Sequence, residues 1–217
     1  MADTKAKIVA TAVHCFNDKG YGAVSLNDIA KAMGVSRGHI AYHFKNKDLL
    51  LEYVASEMWN KLDLERAKSL SFPSFENLAK MMTVFQKYYQ QYAFIFMDAQ
   101  VTSHPGLQPM IEQKSKEAIA DNMNTIVFSV EMGNMKPEPY EGAYYNLAVQ
   151  FWMIAFFWFH QMRFRSDASN EDMMKIGWSL LIPHFTKKGI TSFKAYFGEE
   201  YYNQLGQGKL RIRNNPI

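Results

Sequence analysis

The sequence predicts an all-α protein, with an N-terminal three-helix helix-turn-helix domain followed by a larger helical domain. Three observations carry the class and its division. Apolar residues recur at helical spacing, and no stretch alternates apolar and polar residues with period two between turn signals. Charge sits at one end: residues 1–50 hold seven Lys or Arg against four Asp, a net +3 that equals the formal charge of the whole 217-residue chain. Aromatics sit at the other: of 16 Phe, 12 Tyr and 4 Trp, only Phe16, Tyr21, Tyr42 and Phe44 fall in the first fifty residues. The division is placed at 1–50 and 51–217.

In the head, Ile8, Val9, Ala12, Val13 and Phe16 make one apolar stripe, and Gly20 is a natural helix stop. Ser25 opens a second helix, with Asp28 three residues on in a capping-box position and Leu26, Ile29, Ala30 and Met33 as its buried face. Gly34 breaks it. Ser36 caps a third helix through Phe44, and Asn46 a fourth that continues through Leu50, Val54 and Met58.

The body divides at its Pro, Gly and Ser clusters into candidate helices over 74–91, 92–102, 106–131, 139–165, 170–186 and 189–204. The longest apolar run, FWMIAFFWF at 151–159, is far short of the roughly 20 residues that cross a bilayer. No signal peptide is visible, and a single cysteine, Cys15, fits a reducing cytoplasm, which is the expected location. The tail, with Lys209, Arg211 and Arg213 in alternation, is expected to fray.

The stretch GVSRGHIAYHFKNK at 34–47 carries the chemistry. Two short helices joined by a tight glycine turn are the minimal helix-turn-helix. Their crossing needs a small residue, which Ala30 supplies, a turn free of Cβ strain at Gly34, and an apolar closure at Ile40. That packing leaves Arg37, His39, Tyr42 and His43 on the outer face, with donors suited to a phosphate-lined groove. Arg37 is the best base reader, because a guanidinium can bond guanine O6 and N7 together. Gly38 permits close backbone approach. Lys45 and Lys47, beside the helix start at Asn46, make a phosphate clamp.

Residues 5–55 resemble the N-terminal domain of TetR-family (TetR/AcrR-like) transcriptional regulators. The matching pieces are Phe16, Gly20-Tyr21, Ser25, Ile29-Ala30, Gly34-Val35-Ser36, Gly38, Ile40, Tyr42 through Lys47, and Leu49-Leu50. The resemblance covers about a quarter of the chain. It implies a homodimer whose two recognition helices meet one face of a double-stranded DNA operator, and a small-molecule effector that changes their separation. By the same resemblance Ser25 and Asn27 touch DNA from the second helix, Arg37, Gly38 and His39 read bases, and Tyr42, His43 and Lys47 hold phosphates. Ser36, at the start of the reading helix, belongs to the same set. Ala41 departs from the family, which usually has an aromatic there, so the operator cannot be borrowed from relatives.

The helix at 139–165 is apolar on all sides and must be covered on all sides. In the resembled family the last two long helices form a four-helix dimer interface, which places Trp158, Met162, Met174, Trp178 and Leu181 as candidate contacts. An effector site is expected among aromatic and methionine side chains: Phe85, Tyr88, Tyr89, Tyr92, Phe96, Met123, Trp152 and Phe156, with Gln100 and His160 to orient a polar group. Such a stripe at helical spacing is more often core than pocket.

No phosphate-binding glycine loop or catalytic arrangement is evident, so no enzyme and no cofactor is expected. His39 and His43 stand at a metal-compatible spacing, yet no third ligand accompanies them and the DNA reading accounts for both, so no metal is expected. The leading expectation is a dimeric repressor released from a palindromic operator by a hydrophobic or aromatic effector. Its rivals are an architectural DNA-binding or interaction protein without an inducer switch, and a small-molecule carrier or enzyme that has kept a degenerate head.

Overall fold

The computed structural model describes residues 2–69, 73–165 and 172–206, and those residues contain no strand, only an isolated antiparallel bridge between Met135 and Phe185. The tail expectation lies outside them. Twelve α-helices are described: α1 (Ala2–Lys19), α2 (Leu26–Met33), α3 (Arg37–His43), α4 (Lys47–Ser69), α5 (Phe75–Gln91), α6 (Ala93–Met97), α7 (Ala99–Thr102), α8 (Gln108–Glu131), α9 (Ala143–Phe164), α10 (Met173–Leu181), α11 (Lys187–Phe197) and α12 (Glu199–Asn203). A 3₁₀ turn, Ile182–His184, follows α10 around Pro183.

The chain forms two compact units, one of Met1–Phe72 with Lys80–Lys114, the other of Pro73–Ala79 with Ser115–Ile217. In the first, the head folds as its sequence dictates. Ser25 and Asp28 complete a reciprocal capping box on α2. Gly34 caps the other end at φ +68°, in the left-handed region, and its N–H returns to the carbonyls of Ala30 and Lys31. Ser36 caps α3 by accepting the His39 N–H at 3.3 Å, and Asn46 caps α4 by accepting the Leu49 N–H at 2.8 Å. Ile8, Ala12, Phe16, Ile29, Ala30, Ile40, Leu50 and Val54 are buried together with Phe44 and Leu26, while Val35 is half-buried. Burying this spine fixes α3 with its polar face outward.

The expected helix at 92–102 is two short helices. Asp98 ends α6, and its side chain starts α7 by accepting the Gln100 N–H at 2.9 Å. In the second unit, Trp178 packs among Phe75, Phe193 and Phe197 with ring centroids 5.3–5.8 Å apart. A clasp closes the same unit: the Lys136 N–H donates to the His184 carbonyl at 2.8 Å, and the Tyr144 hydroxyl to the Lys136 carbonyl at 2.7 Å. No helix among the described residues is long and apolar enough to cross a membrane.

Candidate nucleic-acid interface

The exposed side of α3 is built by exclusion. Ile40 is fully buried, so its neighbours Arg37, Gly38, His39 and Tyr42 are driven outward, and all four are exposed. Tyr42 is 77% exposed, far beyond what a tyrosine with a packing role would leave in water. His43 is half-buried against it. The rings of His39 and His43 lie 5.9 Å apart and those of Tyr42 and His43 5.2 Å apart, both edge-on, so the outer face carries a short ladder of donor-bearing rings.

Beside this ladder lies a notch of about 390 Å³, lined by Gly22 through Asn27, Arg37 and Lys45 through Lys47. It joins the start of α2 to the approach to α4. Three cations line it, and no carboxylate does. Ser25 and Asn27 are exposed at its rim. Ser25 is already engaged, since its hydroxyl donates to Asp28 at 2.6 Å, and the Ser25 bonds hold the Asp28 carboxyl below the ordinary carboxylate range. Ser36 is exposed and serves as the α3 cap.

Lys45 is exposed, but Lys47 is not the free clamp its spacing suggests. Its ammonium donates to the Tyr21 carbonyl at 2.9 Å and stands 4.0 Å above the centre of the Tyr21 ring. Tyr21 itself is buried and uses every polar group it has. Its N–H donates to Asp98 at 2.8 Å and its hydroxyl to Asp48. Burial, followed by the Asp48 hydrogen bond, raises the Tyr21 hydroxyl well above its ordinary pKa. His104 reaches Asp48 at 3.6 Å from α7's far end. Sequence reasoning missed Tyr21, Asp48 and Asp98 as parts of this site. Tyr21 and Asp98 stand 77 positions apart, and no local pattern links them.

The effector candidates divide between the two units. In the first, Tyr89 and Phe96 stack at 4.2 Å and are fully buried, so these two rings fill space against each other, and Tyr92 is buried and stacks on Tyr88. Phe85 and Tyr88 are half-buried. Gln100 is exposed and lies over Gly22, where a Cβ would collide with its carboxamide, so it belongs to the head's corner rather than to the aromatic group. In the second unit Met123, Trp152, Phe156 and His160 are half-buried. Trp152, Phe156, Phe157 and His160 form a connected ring cluster at 5.1–5.6 Å.

Two interface candidates are corrected by burial. Trp158 and Trp178 are 6% and 1% exposed within the subunit, so neither has surface to offer a partner. Met162, Met174 and Leu181 are half-buried. The exposed apolar residues of α9 are instead Tyr145, Met153, Phe157 and Phe164. Among the described residues, no group of three or more His, Cys, Asp or Glu is placed to hold a metal ion.

Comparison with known proteins agrees with this geometry. Residues 8–54 match the family model of bacterial regulatory proteins of the tetR family, and residues 54–193 match that of a bacterial transcriptional repressor. The probable HTH-type transcriptional regulator YttP of Bacillus subtilis is 45% identical over 56 residues, 26% of this chain and 27% of that protein. The chain thus matches about a quarter of that curated relative's length. Among solved structures, a TetR-family regulator from Marinobacter aquaeolei superposes with a TM-score of 0.74 at 19% identity, covering 95% of this chain and 98% of that one. A SmeT–triclosan complex superposes with a TM-score of 0.66 at 15% identity, covering 85% and 93%.

Proposed function

This chain belongs to the TetR family of bacterial regulatory proteins, and from that premise we propose that it is a ligand-responsive, dimeric repressor of a palindromic operator. The observation that carries the reading is the α3 face. A packed helix-turn-helix presents Arg37, His39 and Tyr42 outward, beside a notch with three cations and no carboxylate. Base reading falls to Arg37, Gly38 and His39, and backbone contact to Ser25, Asn27, Ser36, Tyr42, His43, Lys45 and Lys47. Residues 1–50 are the DNA-binding domain and 51–217 the effector-binding and dimerisation domain, working in the cytoplasm.

The second copy docks on α9. Tyr145, Met153, Phe157 and Phe164 are exposed at spacings that share one side of the helix, with half-buried Val149 and His160 between them. Such an apolar stripe on a regulator of this family is best covered by its own symmetry mate. The effector is a hydrophobic or aromatic molecule bound among the half-buried rings of the body, and it favours a dimer whose α3 helices no longer fit successive major grooves.

Fluorescence anisotropy on DNA flanking the protein's own gene, with scrambled competitor and a salt series, tests the reading. Saturation at two chains per site with a competitor-resistant signal is the expected result, and triclosan is the first release probe because a structurally similar protein was solved with it. Binding that ignores sequence and vanishes with salt would favour the architectural alternative.

A further inference from the structure

We propose that Asp98, on the joint between α6 and α7, is a positioning residue for the DNA-backbone contact of Lys47, acting through Tyr21. This role rests on the regulator reading above and gives the body a direct hold on the DNA-binding face.

Tyr21 occupies the corner between α1 and α2, with Gly20 before it at φ +80° and Gly22 after it. A corner flanked by two glycines is compliant, so the peptide groups of Tyr21 go where their partners hold them. Each of its polar groups is taken by a different residue. Asp98 accepts the N–H at 2.8 Å, Asp48 accepts the hydroxyl, and Lys47 donates to the carbonyl at 2.9 Å, which also accepts the Val24 N–H at 3.3 Å. The Lys47 ammonium is therefore seated by the residue that Asp98 seats.

Asp98 is itself fixed. One oxygen caps α7 through the Gln100 N–H while the other takes Tyr21. The same segment is tied to α1 a second time by Asn17, which donates to the Gln91 carbonyl at 2.8 Å and accepts the Phe94 N–H at 3.0 Å. A shift of α6 and α7 is thus delivered to the Tyr21 corner rather than lost in a slack loop.

An ammonium has three donors. One is spent on the Tyr21 carbonyl, and Lys47 is among the residues that line the notch beside Lys45 and Arg37. A lysine whose head is already placed gives up less freedom on meeting a phosphate than one that samples solvent. The state of the α6–α7 joint is then expressed as the strength of one backbone contact. The sign of the effect is diagnostic. Removing a carboxylate near DNA strengthens binding if only long-range charge matters, whereas loss of a positioning residue weakens it.

The test needs no effector. A duplex selected by the wild-type protein from a random pool is titrated by anisotropy across a NaCl series with wild type, K47A, D98A and the double variant. K47A should lower the slope of log affinity against log salt by about 1.8, as one lost phosphate contact in each of the two bound chains requires. D98A should lower it by a similar amount despite losing a negative charge, and the double variant should fall no further. Y21F, which keeps the peptide groups and ring, should keep the wild-type slope. If D98A melts too early to assay, D98L carries the test, because its side chain fills similar space and accepts no hydrogen bond from Tyr21, and the same direction is expected. A wild-type slope or tighter binding in the Asp98 variants, or additive losses in the double variant, overturns the proposal alone. A wild-type protein that selects no sequence overturns the regulator reading with it.

Discussion

Gly189, at the start of α11, packs so closely on the Asn134 carbonyl that a Cβ built there would collide with that backbone oxygen. The approach is secured by Thr186, whose N–H donates to the Asn134 carbonyl at 3.0 Å and whose hydroxyl donates to the Gly133 carbonyl at 2.7 Å. The loop after α8 and the start of α11 are thereby clasped together. Gly189→Ala should destabilise the fold by about 1–3 kcal/mol, since backbone rather than a movable side chain must yield. Thermal melting followed by circular dichroism checks this, and an unchanged midpoint would mean the clasp has slack.

The Tyr21–Asp48 bond gives a pH signature. The Asp48 carboxyl is held below the ordinary carboxylate range, first by the Tyr21 hydroxyl and then by His104. A depressed folded-state pKa contributes stability above the unfolded value, near 4, that is lost as pH falls through the folded value. The melting-temperature gap between wild type and Tyr21→Phe should therefore be widest near neutral pH and shrink in acid. A gap of constant size from pH 7 to pH 3 would assign the bond no linkage to Asp48.

Arg37 and Lys45 should fail differently. Arg37→Ala should cost about 1–3 kcal/mol of discrimination at one base pair. Lys45→Ala should weaken all duplexes alike and lower the salt slope by about 1.8, about 0.9 for each of the two bound chains. Competition titrations with single-base operator variants separate the two, and uniform weakening by both substitutions would remove Arg37 from the base-reading set.

Phe157→Glu should weaken the dimer at least about tenfold, because it replaces an aromatic anchor worth about 1.5–3 kcal/mol with a charge. Trp178→Phe should lower the melting temperature while leaving the mass in solution unchanged, since that ring packs against Phe75, Phe193 and Phe197 of its own subunit. Sedimentation velocity reads both. A monomeric Trp178→Phe protein with dimeric Phe157→Glu would reverse the assignment of the α9 face.

The head was legible because its determinants are local. Ser25, Gly34, Ser36 and Asn46 act on backbone groups within four residues, and caps and left-handed turns are written in those short spans. Ala30 and Ile40 are buried where their sizes require. Breaks among the described residues of the body were legible for the same reason, save at Gly198, which splits 189–204 into α11 and α12, and at Asp98, which splits 92–102 by capping α7 with a side chain that also serves Tyr21.

By itself the sequence determined an all-helical chain, a helix-turn-helix, and the residues of α3 available to read DNA. Helical spacing and capping chemistry are short-range and leave a periodic trace. Only the tertiary structure decided that Lys47 rests on Tyr21, that Gln100 belongs to the head's corner, and that Trp158 and Trp178 are core while Phe157 is surface. The physical reason is that a helix apolar on every side has no preferred direction in its own sequence. Which side is buried depends on the helices that pack against it, and those lie far away in the chain.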